Sequence, residues 1–281
     1  MKTLAEFKKQ KNFLVCVDSD GCAMDTMDIK HFTCFGPCMV EQWGLSQWSD
    51  AILHRWNDIN LYTMTRGINR FKGLAIALTE VNERYREIEG LSELINWADN
   101  APELSNDALE KYIAENGGVC LEKALAWSYA VNKAIDMLPE EKKLPFPYAK
   151  EALELAHKQA DVAVISSANP DAVLAEWEKH GLLDHVDVVL TQDAGSKDFC
   201  ICELMKLGYE KGKAVMCGDA PGDKAAADKN GIYFYPILVK DEEFSWKDFI
   251  KKGFDKFING DFGEEYQDHK IKEFYRHLGA E

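Results

Sequence analysis

The sequence has no excess of positive charge, because 33 Lys and Arg stand against 48 Asp and Glu and give a formal net charge of −15. A surface of that sign is repelled by phosphate backbones and anionic lipids, so we expect neither nucleic acid nor a membrane as a partner. Long apolar runs are also absent, and the run from Phe13 to Val17 is far too short to cross a bilayer. The first twelve residues, MKTLAEFKKQKN, contain no apolar stretch, so we expect no signal peptide.

The eight cysteines lack the spacing of a zinc site. Cys34 and Cys38 are separated by three residues and Cys200 and Cys202 by one, with no partner histidine. Half of the cysteines lie in or beside apolar segments, where a free cysteine behaves as a small hydrophobic residue, namely Cys16, Cys120, Cys200 and Cys217. This usage favours a soluble protein in a reducing compartment, and we expect it in the cytoplasm.

The pattern that is present changes along the 281 residues, a length typical of about two domains. Residues 13–18, FLVCVD, form a short apolar run that ends in a carboxylate, which indicates a strand buried on both faces. Residues 24–144 instead show helical periodicity, which is clearest in Phe71, Leu74, Leu78, Val81, Tyr85 and Ile88. A second periodic run, with Trp127 off its apolar face, consists of Leu121, Leu125, Ser128, Val131, Ile135 and Leu138. A stiff linker follows, which contains Pro139, Pro145 and Pro147.

Strands and helices alternate after that linker. We expect strands at residues 162–166, 186–191, 214–219 and 232–237. Helical stretches fall between them at 148–159, 171–180, 197–208 and 221–230, and two amphipathic helices follow in the tail. This alternation predicts βαβ units and a parallel sheet. The expected fold class is therefore α/β, with a Rossmann-like core formed by residues 1–23 and 148–281 and an all-helical cap domain inserted over residues 24–147.

Polar residues follow the apolar strands at the points where ligands bind in an open parallel sheet. The first strand ends in Asp18-Ser19-Asp20-Gly21, and the second ends in Ser166-Ser167-Ala168-Asn169. The third leads to Lys197, and the fourth ends in Gly218-Asp219 with Asp223 shortly after. Carboxylates that crowd at one edge repel each other, so a bound cation is expected there, and an oxygen-only ligand set suits Mg2+.

In this order, the four motifs resemble those of the haloacid dehalogenase superfamily, and with the helical insertion after the first motif the resemblance covers nearly the whole chain. It implies that Asp18 is the nucleophile that forms an aspartyl-phosphate and that Asp20 is the general acid and base. Ser166 and Lys197 would hold the phosphoryl group. The implied Mg2+ ligands are Asp18, Asp219, the main-chain carbonyl of Asp20, and Asp223 directly or through water.

Asp20 also narrows the expected reaction, because the family's ion pumps carry threonine at this point and its dehalogenases lack the aspartate. The resemblance therefore implies a Mg2+-dependent phosphatase that acts on a small phosphorylated metabolite. One alternative is a phosphomutase that uses the same residues on a sugar phosphate, and another is a non-catalytic module that binds a phosphorylated ligand; the oligomeric state stays open. Two departures from the family pattern are Cys22, where a threonine is usual, and a lysine motif that reads GSKD (195–198) instead of Gly-Lys-Pro.

Further residues are expected to bind the substrate. Ser167 is the alternative phosphate ligand at its strand end, and Asn169 follows it. Asn69 stands at the N-cap position before the first periodic run, so free helical N–H groups and two arginines, Arg66 and Arg70, would suit an anionic substrate. The segment from Arg66 to Arg70 is also similar to the specificity loop in the family's helical caps.

Each candidate also has a plain structural interpretation. Asp219 would then cap the helix that opens at Pro221, with Asp223 in its first turn. The two aspartates after the first strand would be turn formers, and Lys197 would be an ordinary solvated lysine. The two arginines of the inserted segment would be solvated surface charges.

Overall fold

Five strands form one parallel sheet in the computed structural model, which describes residues 4–280. The order across the sheet is β3-β2-β1-β4-β5. The bounds are β1 Phe13–Val17, β2 Ala160–Ile165, β3 Val188–Leu190, β4 Ala214–Gly218 and β5 Tyr233–Pro236. All four strands expected after the linker are present, each within two residues of its predicted start and end. The predicted α/β class with a Rossmann-like parallel sheet is therefore confirmed.

The central strand is β1, which pairs with β2 on one side and β4 on the other. Val15 lies in register with Val162 of β2 and Val215 of β4. All three side chains are at most 1% exposed. Helices that cover both faces of a parallel sheet remove any need for polar residues in its strands, which explains the continuous apolar run from which β1 was predicted.

One compact unit spans Asp28–Pro139 and is helical throughout. Its helices, the first beginning one residue earlier, are α1 Met27–Lys30, α2 Gly36–Gln42, α3 Ser49–Asn57, α4 Arg70–Arg84, α5 Leu91–Asn100, α6 Asn106–Asn116 and α7 Val119–Asp136. The unit has its own core, in which Trp127 meets Trp56 edge to face with ring centroids 5.9 Å apart. Aromatic pairs in this geometry stabilise a core beyond the area that they bury.

The helical unit corrects two details of the sequence analysis. Helix α4 ends at Arg84, so the periodic run to Ile88 is longer than the helix; the Asn82 side chain accepts a hydrogen bond from the Ile88 backbone N–H at 2.8 Å and fixes the turn that follows. Trp127 was expected off the apolar face of its helix, and this was wrong. It is fully buried, and its indole N–H donates to the Phe35 carbonyl at 3.1 Å.

The other compact unit contains the sheet and consists of the residues up to Met27 and from Glu140 onward. Its helices are α8 Ala149–His157, α9 Pro170–Lys179, α10 Lys197–Met205, α11 Pro221–Asn230, α12 Glu242–Asp248, α13 Phe254–Asn259 and α14 Glu264–His277. A π-helical turn at Phe249–Gly253 joins α12 to α13. Within residues 4–280, no helix combines the length and the hydropathy needed to cross a membrane.

A buried carboxylate, Asp161, ties together the amino ends of the strands. It lies in β2 and is 0% exposed. Its Oδ2 accepts hydrogen bonds from the backbone N–H groups of Gln10 and Lys11 at 2.8 and 2.9 Å and from the Tyr209 hydroxyl at 2.5 Å. Burial, together with this carboxylate, raises the pKa of Tyr209 above its usual range. The segment that leads into β1 is therefore held by a residue of its neighbour strand.

Asp161→Ala removes the acceptor of three hydrogen bonds at once, one of them fully buried, and we expect it to lower the free energy of unfolding by about 2–4 kcal/mol. Tyr209→Phe removes one donor and should cost about 1 kcal/mol. Chemical denaturation of both variants measures the difference. A loss for Asp161→Ala no larger than that for Tyr209→Phe would contradict the anchoring role.

Candidate active site

The carboxyl ends of β1 and β4 bring three acidic side chains to one place. Asp18 directly follows β1, and its backbone N–H donates to the Cys217 carbonyl of β4 at 3.0 Å. Asp219 directly follows β4, and Asp223 lies in the first turn of α11. One oxygen from each of the three carboxylates lies within 4.8 Å of the others. The sheet topology therefore assembles a cluster from residues about 200 positions apart in the sequence.

All three carboxylates are buried: Asp18 is 6% exposed, and Asp219 and Asp223 are 0% exposed. Lys197, at the start of α10, places its Nζ 2.9 Å from Asp18 Oδ2 and 2.6 Å from Asp223 Oδ1. One ammonium thus faces three carboxylates, which leaves an excess of negative charge in a site that water hardly reaches. Such a charge is costly unless a further cation is present.

The ionisation of Asp18 and Lys197 reflects this crowding. Burial raises the pKa of Asp18 well above its usual range, and the Lys197 ammonium opposes that rise while Asp223 and Asp219 add to it. For Lys197, burial disfavours the charged form, but Asp18 and Asp223 outweigh it and raise the pKa of the ammonium. Lys197 therefore stays charged, and its positive charge favours an ionised Asp18.

The donor set of the cluster fits a divalent cation with hard, oxygen-preferring chemistry. The ligand atoms on offer are carboxylate oxygens, and no thiol or imidazole joins the group among the residues that the structure describes. Mg2+ prefers oxygen ligands of this kind. It binds only a few of them from the protein, because it keeps part of its water shell. A divalent ion bound here would offset the repulsion among the three carboxylates. We therefore take Asp18, Asp219 and Asp223 as the candidate metal ligands.

Asp20 lies near this cluster in sequence but its side chain is outside the group of three carboxylates. It is partly buried, and its Oδ1 accepts a hydrogen bond from the Thr26 hydroxyl at 2.5 Å. Thr26 itself is 0% exposed. A hydroxyl that donates to the carboxylate holds it in one orientation. Thr26 belongs to none of the four sequence motifs, although it lies only six residues from its partner.

The turn from Asp18 to Met24 is closed by its own backbone. The Ser19 carbonyl accepts from the N–H groups of Cys22 and Met24 at 3.2 and 2.9 Å, and Gly21 N–H donates to the Met24 carbonyl at 2.9 Å. Gly21 has φ = 83°, a conformation that favours glycine. The DxDG motif thus needs its glycine for the turn.

Cys22 stands where the family pattern has threonine, and the thiol takes over a donor role. It is 0% exposed, and its Sγ donates to the Cys217 carbonyl at 3.4 Å. Burial, reinforced by the carboxylates of Asp219 and Asp18, raises the pKa of the thiol well above its usual range. The thiol therefore stays protonated and keeps its hydrogen to donate.

The second strand end contributes a buried hydroxyl. Ser166 directly follows β2 and is 3% exposed, and its Oγ accepts from the Ala168 N–H at 3.1 Å. Ser167 is exposed. Asn169 caps α9, because its Oδ1 accepts from the N–H groups of Asp171 and Ala172 at 2.9 and 3.3 Å. A substrate role for Ser167 and Asn169 stays a prediction.

Asn69, Arg66 and Arg70 all make contacts inside the helical unit. Asn69 caps α4 as predicted and accepts from the Phe71 N–H at 2.9 Å. Arg66 is 2% exposed and donates to the Leu61 carbonyl at 2.8 Å. The structural interpretation of Arg66 as a solvated surface charge is therefore wrong.

Arg70 is held by polar and aromatic neighbours. It donates to Ser128 Oγ at 3.0 Å and to Asn132 Oδ1 at 2.7 Å, and its guanidinium lies 5.1 Å from the Phe35 ring centroid. Burial lowers the pKa of Arg70 to about 10. A substrate role for Arg66, Asn69 and Arg70 stays a prediction, because these contacts already give each residue a structural role.

The structural alternatives for Lys197 and Asp219 are also wrong. Lys197 is not a solvated lysine, because it is ion-paired to two buried carboxylates. Asp219 is not the cap of α11, because Ala220 occupies the N-cap position and its N–H donates to Asp223 Oδ2 at 3.0 Å. Asp223 therefore has two functions, in the cluster and at the start of its helix.

A family profile described as haloacid dehalogenase-like hydrolase matches residues 96–237, a range that includes Ser166, Lys197, Asp219 and Asp223. No match was found among curated proteins.

The solved structures that match the chain include proteins from several bacteria. A haloacid dehalogenase-superfamily hydrolase of subfamily IA from Geobacter sulfurreducens shares 14% identity, covers 81% of this chain and 88% of its own, and has a TM-score of 0.40. A provisionally assigned β-phosphoglucomutase from Thermotoga maritima shares 18%, with coverages of 80% and 84% and a TM-score of 0.46. A provisionally assigned phosphoglycolate phosphatase from Lactobacillus delbrueckii subsp. bulgaricus shares 14%, with coverages of 80% and 85% and a TM-score of 0.48.

Two glycines of the fourth motif make a matched test of the cluster. A Cβ at Gly218 would overlap the Asp223 side chain, whereas a Cβ at Gly222 would meet nothing within 4 Å. We expect Gly218→Ala to displace Asp223 and to weaken Mg2+ binding at least tenfold, and Gly222→Ala to leave it unchanged. Isothermal titration with Mg2+ measures both. Equal affinities in the two variants would remove Asp223 from the metal site.

Proposed function

The chain belongs to the haloacid dehalogenase-like hydrolases, and on that premise we propose that it is a Mg2+-dependent phosphatase that hydrolyses a small phosphorylated metabolite through an aspartyl-phosphate on Asp18. The observation that carries the proposal is the buried cluster in which Lys197 Nζ lies 2.9 Å from Asp18. The lysine opposes the effect of burial on this carboxylate and favours the ionised form, which is the form that can act as a nucleophile.

In the first half-reaction, an oxygen of Asp18 attacks the substrate's phosphorus. The bond from that oxygen to phosphorus forms while the bond from phosphorus to the ester oxygen breaks. The leaving alkoxide takes a proton from Asp20, which acts as general acid. The hydrogen bond from Thr26 to Asp20 Oδ1 supports this role, because it holds the carboxyl group in one orientation.

In the second half-reaction, Asp20 is a carboxylate and acts as general base. It removes a proton from a water molecule, whose oxygen attacks phosphorus as the bond to Asp18 breaks. Inorganic phosphate leaves, Asp18 is again a carboxylate, and Asp20 is again protonated for the next turnover. Two aspartates two positions apart thus supply the nucleophile and the proton carrier.

The remaining residues bind the phosphoryl group. Lys197 would offset the charge of its oxygens, and the Ser166 hydroxyl would donate a hydrogen bond to one of them. Asp18, Asp219, Asp223 and the main-chain carbonyl of Asp20 would hold Mg2+. When bound, the ion supplies positive charge that reduces the repulsion between the phosphoryl oxygens and the attacking carboxylate.

There are two alternatives to the phosphatase function: a phosphomutase, and a binding module without catalytic activity. The mutase would use the same residues and return the phosphoryl group to a sugar phosphate, so it would form isomers instead of inorganic phosphate. The module is disfavoured by the pair Asp18 and Asp20, because binding alone needs no proton donor beside a nucleophile. The substrate's other contacts are proposed at Ser167, Asn169 and the segment from Arg66 to Arg70. The compartment proposed is the cytoplasm, where the eight thiols would stay reduced.

Asp18→Asn keeps the shape of the side chain but cannot attack phosphorus, and we expect it to lower phosphate release by roughly a thousandfold or more. The assay is phosphate release from a panel of phosphorylated metabolites with and without Mg2+, with isomer formation followed in parallel. Asp171→Asn, an exposed aspartate of the same unit, is the matched control and should keep full activity. If the Asp18→Asn variant retained a large share of wild-type release, Asp18 would not be the nucleophile.

Asp219→Asn separates a metal ligand from a structural residue. In EDTA we expect its Tm to equal or exceed that of the wild type, because one of three repelling carboxylates is gone. Added Mg2+ at a hundred times the Kd should stabilise the wild type by about 2.7 kcal/mol and so raise its Tm, whereas the Tm of the variant should not change. A clear fall in the variant's Tm in EDTA would assign Asp219 a structural role instead.

A further inference from the structure

We propose that Trp177 and Trp246 are positioning residues of the active site, whose indole N–H groups hold the turn that carries Asp18 and Asp20. This inference rests on the proposed function, in which those two aspartates do the chemistry. It assigns a catalytic consequence to two residues outside the four sequence motifs. Both are large core side chains, and their burial by itself would suggest packing alone.

The first contact is made to the residue between the two aspartates. Ser19 is 0% exposed, and its Oγ accepts a hydrogen bond from the Trp177 indole N–H at 2.8 Å. Side chains alternate along a strand, so Ser19 continues the row of Val15 and Val17 into the core while Asp18 lies on the other side. Trp177 belongs to that same core cluster. It therefore holds the turn from the side opposite the chemistry.

The second contact is made at the far end of the turn. The Trp246 indole N–H donates to the Cys22 carbonyl at 2.9 Å. Trp246 lies in α12 and is 1% exposed. Helix α12 is itself anchored, because Asp248 accepts from the Tyr235 hydroxyl at 3.0 Å and is ion-paired with Lys270 at 2.9 Å. A helix from the C-terminal part of the chain thus contacts the turn that carries Asp18 and Asp20.

Both contacts fix elements that the turn's own backbone leaves adjustable. The short-range hydrogen bonds close the turn on itself, and longer-range backbone bonds hold its two ends, from Asp18 to Cys217 and from Phe146 to Ala23. The Ser19 side chain and the Cys22 carbonyl, which lie between those ends, are the groups that the two indoles hold. A rotation of the peptide after Ser19 would move the Asp20 carboxylate and the Asp20 carbonyl relative to Asp18. A displacement of about 1 Å at such groups can lower a rate by about a hundredfold. The indole N–H groups resist such a rotation, because a buried donor that loses its acceptor carries a large free-energy cost.

The experiment replaces each tryptophan by phenylalanine, which removes the N–H and keeps most of the ring. Trp177→Phe and Trp246→Phe are compared with Trp127→Phe, which loses an equally buried indole hydrogen bond in the helical unit. We expect the first two to lower kcat about tenfold or more with KM changed less than twofold, and the control to keep the wild-type kcat. Measurements are made below the Tm of every variant.

Two further variants act on the acceptor and avoid the loss of a large ring. Ser19→Ala removes the hydroxyl that Trp177 contacts and should lower kcat as Trp177→Phe does, whereas Ser19→Thr should keep most of the activity. If Trp177 acts through Ser19, the double variant Ser19→Ala/Trp177→Phe should be no worse than either single one. Additive losses in this cycle would overturn the proposed link.

A readout independent of activity is the indole N–H resonance in protein labelled with 15N-tryptophan. Each signal is assigned by its loss in the corresponding phenylalanine variant. We expect Mg2+ alone to shift the Trp177 and Trp246 signals and to leave that of Trp127 in place, because only the first two contact the turn that carries proposed ligands. If neither signal responds although Mg2+ binds, or if the kcat losses match that of Trp127→Phe, the positioning role is wrong. Should the wild type release no phosphate from any ester, the proposed function fails, and the Mg2+-induced shifts still decide the present inference.

Discussion

The concentration of negative charge at the carboxyl ends of β1 and β4 is the constraint around which this site is organised. Asp18, Asp219 and Asp223 are all buried, and repulsion among them opposes the fold wherever they are ionised. Lys197 offsets part of this charge and is accordingly fixed by two ion pairs. Asp223 also accepts a hydrogen bond from the Ala220 backbone N–H and so stabilises the start of α11. This stabilisation offsets part of the free-energy cost of burying its carboxylate.

The same constraint explains why many hydrogen bonds hold the backbone around the cluster. Carboxylates that repel each other would move apart unless their backbone were held, and here the backbone is held from several directions. Within the first motif, the Cys22 thiol reaches the Cys217 carbonyl on the neighbouring strand. The usual threonine is therefore replaced by a group that still donates a hydrogen bond in a fully buried position. The few residues after β1 therefore carry buried charge, make buried hydrogen bonds and pack against the core.

Much of the fold and the polar strand ends could be predicted from the sequence, because both follow from local patterns. The apolar run before Asp18 fixed the position of β1, and each later strand was marked in the same way. The partners of these elements could not be predicted. Neither the reach of Trp177 to Ser19 nor the burial of Trp127 leaves a local signal, because the residues that meet are separated by 158 and 92 positions. For the same reason, the sequence predicts that Arg66 is a surface charge. A guanidinium can be buried where carbonyl oxygens accept its hydrogen bonds, and these carbonyls come into position only when the helical unit folds.

The central place of β1 in the sheet has a consequence for synthesis on the ribosome. Phe13 pairs with Ala160 and Leu14 with Ala214, so β1 is made before the whole helical unit and long before either partner strand. The helices can form local contacts as they emerge, whereas an apolar strand without neighbours is exposed to aggregation until the later chain arrives. The entropic cost of closing a loop rises only slowly with its length, so the long separation costs the folded protein little free energy. It does, however, delay the pairing of β1 with β2 and β4. The first strand to be translated is thus the one that waits longest to be covered.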